Sequence, residues 1–202
     1  NRQFYYIESG EYIKIKRTGN FGKIAKKMYN SYSVKPKEKI TDKTKAVIVV
    51  HTYGEPIDDI IEISKYLKER GIFLIEDCAQ AHFAEWKGKK VGTMGVAGTF
   101  SFFPGKNLGA YGDAGSIISN DSEFAKKARM FANHGALIKH QHKIEGINSR
   151  MDGMQASILS AKLPHVLKWS ADRFNAAILY NNKLEEIPGI ISPIIHLNVK
   201  HV

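Results

Sequence analysis

Residues 45–75 restrict the fold of this chain more than any other stretch. Lys45-Ala46-Val47-Ile48-Val49-Val50 is a β-branched run of the kind found in strands buried on both faces. Pro56, Asp58 and Asp59 follow with the marks of a helix start: proline suits the first helical position, and carboxylates suit the positive end of the helix dipole. Ile57, Ile60, Ile61, Ile63 and Leu67 repeat at helical spacing, Gly71 supplies a stop, and Ile72-Phe73-Leu74-Ile75 reads as a second strand. Strand, helix and strand within about thirty residues make a βαβ unit. The crossover of such a unit is right-handed and its strands are parallel. In open sheets of this kind, ligands bind beyond the carboxyl ends of the strands. The expectation is an α/β fold whose chemistry lies in the residues just after each strand.

Three such stretches stand out. The first strand runs into His51-Thr52-Tyr53-Gly54, and the second into Glu76-Asp77-Cys78-Ala79-Gln80-Ala81-His82. A third apolar run, Thr99-Phe100-Ser101-Phe102-Phe103, predicts a strand over 99–103, broken by Pro104-Gly105 and followed at once by Lys106. Gly109, Gly112 and Gly115 keep the backbone after it lean. A lysine packed among aromatics and glycines is partly desolvated, which lowers an ammonium pKa and favours a nucleophilic amine able to form a Schiff base. The alternative is a loop lysine in water.

The remaining pattern is consistent with one large α/β unit. Residues 1–17 read as two short strands around Glu8-Ser9-Gly10-Glu11, residues 20–32 as a weak helix, and residues 35–40 as a polar turn. Residues 86–92 form a hairpin-like loop, and 115–119 a strand. A helix starts at Asn120-Asp121 and ends at His134-Gly135, and a longer one near Asp152 is interrupted by Pro164 and resumes to about Glu186. No apolar run approaches the ~20 residues of a membrane span. A single cysteine, Cys78, excludes an internal disulfide framework, suits a reducing cytoplasmic setting and reads as a small buried hydrophobe. The net charge of +10 is concentrated in residues 1–50, which hold 12 basic against 4 acidic residues. These charges are scattered and carry no nucleic-acid motif, so a solvated surface is expected rather than specific nucleic-acid binding. His134, His140 and His142 share a loop without a carboxylate or thiolate ligand, so no metal site is expected.

Taken together, the motifs resemble the DegT/DnrJ/EryC1/StrS sugar aminotransferases, pyridoxal-phosphate enzymes of the aspartate-aminotransferase fold. The carrying residues are Val50-His51-Thr52-Tyr53-Gly54, the Ile75–His82 segment, and Phe100-Ser101-Phe102-Phe103-Pro104-Gly105-Lys106-Asn107-Leu108-Gly109. Gly112-Asp113-Ala114-Gly115, His134-Gly135, Gly146-Ile147-Asn148-Ser149-Arg150-Met151-Asp152 and Gln155-Ala156 add to them. Order and approximate spacing fit over about residues 40–187. The resemblance implies a three-layer α/β/α large domain, incomplete here, over 36–165. It implies a connecting helix with the start of a small C-terminal domain over 166–202, and leaves a basic segment at 1–35 unassigned.

The resemblance also implies roles. Lys106 would be the catalytic lysine that carries the cofactor and shuttles a proton. Asp77 would pair with the pyridinium nitrogen, Gln80 with the phenolic oxygen, and Ser101 with the phosphate. Asn148 would reach the phosphate of a neighbouring subunit's cofactor, which implies a homodimer. The implied substrates are a nucleotide-linked keto-sugar and an amino donor such as glutamate, in polysaccharide or glycan precursor synthesis. A lysine at 106 argues against the family's dehydratase branch, where that position is histidine. His51, His82 and His134 are expected to pack rather than react, and Arg150 to pair with Asp152 or a helix end. Residues 1–35 lack the Gly-Ser/Thr phosphate loop and the stacking aromatic of the family, so a truncated chain is expected. A non-catalytic paralogue serving as a partner subunit is the alternative.

Overall fold

The computed structural model describes the backbone of residues 3–8 and 11–13, and residues 40–193 and 196–202 in full. The expected helix at 20–32 and most of the expected turn at 35–40 lie outside the described residues. Strands β1 (Gln3–Glu8) and β2 (Glu11–Ile13) form the expected antiparallel pair. β1 then lies parallel to β3 (Thr44–Val50), β3 to β4 (Phe73–Asp77), and β4 to β7 (Ala97–Ser101), with β8 (Gly115–Ile118) closing the edge antiparallel to β7. The six-stranded order is β2-β1-β3-β4-β7-β8. A second, three-stranded sheet joins the hairpin β5 (Glu85–Trp86) and β6 (Lys89–Lys90) to β9 (Val199–Lys200).

Four α-helices accompany the sheets: α1 (Ile60–Lys68), α2 (Ser122–Phe131), α3 (Gly153–Lys162) and α4 (Val166–Leu184). α1 buries Ile60, Ile63 and Leu67 against Val47, Val49, Leu74 and Trp86. Each such side chain removes roughly 1.5–3 kcal/mol worth of apolar surface from water. Asp121 caps α2 with its carboxylate, accepting from the Glu123 and Phe124 amides. Pro164 does end α3, but the chain passes through a single 3-10 turn, Leu163–His165, directly into α4. No helix among the described residues is long and apolar enough to cross a membrane.

Two boundaries differ from the sequence expectation. α1 starts at Ile60, four residues after Pro56, because Asp59 adopts a left-handed conformation (φ 56°) and the Ile57 amide is taken by the His51 ring. β7 ends at Ser101. The next residue, Phe102, leaves β8's partner strand to exchange hydrogen bonds with Ala114 and Ala110, so the apolar run continues past the strand that it seemed to define.

Register places the site. Val50, Asp77 and Thr99 lie in one row across β3, β4 and β7. Because side chains alternate along a strand, Asp77, Thr99 and Ser101 share one sheet face, while Val47, Val49, Leu74 and Glu76 share the face packed by α1.

Candidate functional site

Glu76 and Asp77 are adjacent in sequence and do opposite things. Glu76 is fully buried, and its carboxylate is saturated: Oε1 accepts from the Met94 and Gly95 amides, and Oε2 from the Gly92 amide and from His51 Nε2 at 3.1 Å. His51 Nδ1 accepts from the Ile57 amide, so its proton sits on Nε2 and points at Glu76. Burial raises the Glu76 pKa, yet the His51 hydrogen bond and the Gly92 and Gly95 amides outweigh it and hold the carboxyl below its ordinary value. This pair ties the ends of β3 and β4 to the 91–95 loop. His51, Glu76 and Cys78 offer three ligand atoms close together. However, the first two are already fully bonded, and burial, followed by the Glu76 and Asp77 charges, pushes the Cys78 thiol up. Hydrogen bonds and burial thus occupy the cluster as a structural knot between β3, β4 and the 91–95 loop.

Asp77 projects from the other face, half-buried, with Oδ1 accepting from the Ala79 amide at 3.0 Å. Gln80 follows in the turn after β4, and its Oε1 accepts from the Tyr53 amide at 2.8 Å, joining the ends of β3 and β4. Ser101 is the last residue of β7, and its hydroxyl accepts from the Phe103 amide at 3.3 Å. The chain then folds back on itself: the Lys106 amide donates to Phe103 and the Ala110 amide to Phe102, leaving Lys106 half-buried beyond the strand end.

His82 connects these segments. It is 2 % exposed, packed 5.6 Å from the ring centroids of both Phe100 and Phe102. Burial is the main cause that pushes its pKa down to about 4. The Ser101 backbone opposes the shift, and the nearby positive charge of Lys106 adds to it. Neither ring nitrogen closes a well-formed hydrogen bond among the described residues.

Asp77, Gln80, Ser101 and Lys106 are thus gathered at the carboxyl ends of β4 and β7. Asn148 is not among them. It is exposed on the 133–151 loop, where it bridges to Asn133. Its neighbours Ser149, Arg150 and Met151 line a cleft of about 1020 Å³ that Thr99, Ser101, Phe103 and Asp113 also line. Of the two uses expected for Arg150, the helix end is the one found: it bonds Asn133 Oδ1 at 2.8 Å, just past α2, rather than Asp152. One expectation is corrected here. His134 is exposed rather than packed, since its left-handed backbone (φ 55°) turns the chain and its carbonyl accepts from His142 Nδ1. Cys78, His51 and His82 are buried as expected. Sequence reading did not single out Glu76 or the Tyr53 amide. An acidic residue inside an apolar strand, one position out of phase with Asp77, was the available signal for Glu76.

A family model described as the DegT/DnrJ/EryC1/StrS aminotransferase family matches residues 15–202. A protein of Geobacillus stearothermophilus named "Pleiotropic regulatory protein" is 49% identical over 156 residues, covering 76% of this chain and 42% of that protein. The dTDP-3-amino-3,4,6-trideoxy-alpha-D-glucose transaminase of Streptomyces venezuelae is 40% identical, covering 77% of this chain and 41% of its own length. The crystal structure of S. venezuelae DesV in complex with a ketimine intermediate superposes with a TM-score of 0.77 at 37% identity, covering 82% of this chain and 44% of that one. The chain therefore spans about two-fifths of the length of the curated relatives it matches. With an α/β sheet of the expected topology, and with Asp77, Gln80, Ser101 and Lys106 gathered at its strand ends, the chain belongs to the DegT/DnrJ/EryC1/StrS aminotransferase family.

Proposed function

We propose that the protein to which this sequence belongs is a pyridoxal-phosphate-dependent aminotransferase that places an amino group on a nucleotide-linked keto-sugar, with glutamate as donor. The observation that carries this reading is the gathering of Asp77, Gln80, Ser101 and Lys106 at the carboxyl ends of two adjacent parallel strands. The donor set suits the cofactor. Asp77 has one oxygen held by the Ala79 amide, which leaves the other for a protonated ring nitrogen. Gln80 has its oxygen engaged, which leaves its NH₂ for an acceptor.

When bound, pyridoxal phosphate supplies an aldehyde that accepts an amino group and a ring that draws electrons from the adjoining carbon. The protein supplies the rest. Asp77 would hold the ring nitrogen and keep it protonated. Gln80 orients the phenolic oxygen, and Ser101 contributes a hydroxyl to the phosphate. Lys106 would hold the cofactor through Nζ and would be the group that moves a proton at the substrate carbon. Asn148, exposed on its loop, would serve a neighbouring subunit's cofactor in a homodimer that shares its sites. A cytoplasmic location and a place in polysaccharide precursor synthesis complete the reading.

The test is absorbance near the visible edge after addition of pyridoxal phosphate, followed by borohydride reduction and peptide mapping. The expected result is a covalent band mapped to Lys106 and absent in Lys106→Ala. A band of equal intensity in that variant would overturn the assignment.

A further inference from the structure

Tyr53, beside the site, is held in a strained conformation. Its backbone lies in the left-handed region (φ 56°, ψ 19°), where a bulky side chain is an outlier. Its ring is 78% exposed, so apolar burial does not offset the strain. Strain of this kind persists only where the surroundings over-determine it, and here they do. The Glu55 amide closes the turn onto Thr52 at 3.1 Å. Gly54, at φ +88°, sits where an added Cβ would run into the Val202 carbonyl and crowd that of Gln80. On the upstream side, His51 is locked between Ile57 and Glu76.

The conformation aims one group. The Tyr53 amide is a donor only, so its 2.8 Å contact settles which end of the Gln80 carboxamide is oxygen. We infer that Tyr53 is a positioning residue: its strained backbone pins Oε1 of Gln80, so that Nε2 is the group offered to the ligand and the site selects an acceptor oxygen. Without the pin, the carboxamide could turn over and present oxygen to oxygen. The inference rests on the cofactor reading above, in which that acceptor is the phenolate of pyridoxal phosphate.

Three variants in the intact protein test it, each read by hydrogen exchange at the Tyr53 amide without cofactor and by the dissociation constant for pyridoxal phosphate. Gln80→Glu keeps the acceptor for Tyr53 but puts a charged oxygen where the donor was. Tyr53 protection is expected to stay at the wild-type level while affinity falls about tenfold or more, the worth of a hydrogen bond to a charged group. Gln80→Leu removes both and should lose both protection and affinity. Gly54→Ala keeps the Gln80 side chain but displaces the turn by crowding the Val202 and Gln80 carbonyls; protection and affinity should fall together, with a shift in the wavelength of the bound cofactor. Unchanged Tyr53 exchange in Gln80→Leu, or wild-type affinity and wavelength in a Gly54→Ala protein whose Tyr53 amide has lost protection, overturns the inference. If the wild type takes up no cofactor, the functional reading fails and the ligand half of the inference falls with it. The exchange arm still reads the Tyr53–Gln80 bond separately.

Discussion

A histidine kept neutral in a dry, aromatic setting makes a protein sensitive to mild acid. His82 is protonated in the unfolded chain below its ordinary value of 6.5, but in the folded protein only near 4. Between those two values the unfolded state binds the extra proton, so stability rises with pH across the window and falls as the solution is acidified through it. The effect amounts to a few kcal/mol, at about 1.4 kcal/mol per pH unit. His82→Phe, which suits the contacts with Phe100 and Phe102, is expected to flatten the pH dependence of urea unfolding between pH 6.5 and 4. An unchanged slope in that window would show that His82 is not its source. Glu76 is depressed in the folded state, so its contribution is present above its ordinary value of 4.5 and is lost only as pH falls further. At this scale the sequence was informative about position: Asp77, Gln80 and Lys106 lie at or just beyond strand ends, as the strand pattern implies. For Arg150 it left two partners open, of which the helix end is the one found, and it failed for His134, which the course of one long loop turns out to solvent.

Among the elements, α3 holds the lysine loop from outside. Gln155 Oε1 accepts from the Tyr111 amide at 2.8 Å, and Lys162 Nζ donates to the Gly109 carbonyl at 2.7 Å while lying 4.4 Å from the centre of the Tyr111 ring. Leu159, on the same helix, joins Leu108, Ala110 and Val166 in a small core. Gln155→Leu and Lys162→Met should each loosen this loop by about 1 kcal/mol, the net worth of one hydrogen bond. Hydrogen exchange at the Tyr111 amide would accelerate correspondingly, with amides of α2 as the internal standard; equal acceleration in both places would mean global destabilisation instead. The βαβ unit was legible because its periodicities are local. The start of α1 was not, because a ring on the preceding strand end captures the Ile57 amide that a helix would otherwise have arranged. β7 was misjudged by two residues for a related reason: Phe102 is as apolar as the strand but finds its hydrogen bonds with Ala110 and Ala114.

For the molecule as a whole, the described residues leave a large apolar surface in water. Ile117 and Ile118 on the edge strand β8, Leu137 and Ile138 beside the cleft, and Leu167 and Leu179 on α4 are all exposed. Ile117 and Leu137 line the same cleft, and exposed apolar side chains grouped in this way suit contacts with other protein. The 202-residue chain on its own is expected to sediment as more than a monomer at micromolar concentration, and replacing Ile117 and Ile138 with glutamate should shift it towards the monomer. A monomeric wild-type chain would contradict this.

The three-stranded sheet has a consequence for how the chain acquires its shape during synthesis. Trp86 pairs with Val199, and the Lys87 amide donates to Asn198, across roughly 110 residues of intervening sequence. Such a contact of high sequence separation forms only after residues 198–202 have left the ribosome, and it is slow to form relative to the local βαβ unit. The Val202 carbonyl that abuts Gly54 arrives with it. The nascent protein therefore completes its sheet and its lysine loop first. Within residues 40–202, the turn whose amide holds the Gln80 side chain receives this brace after the βαβ unit has formed.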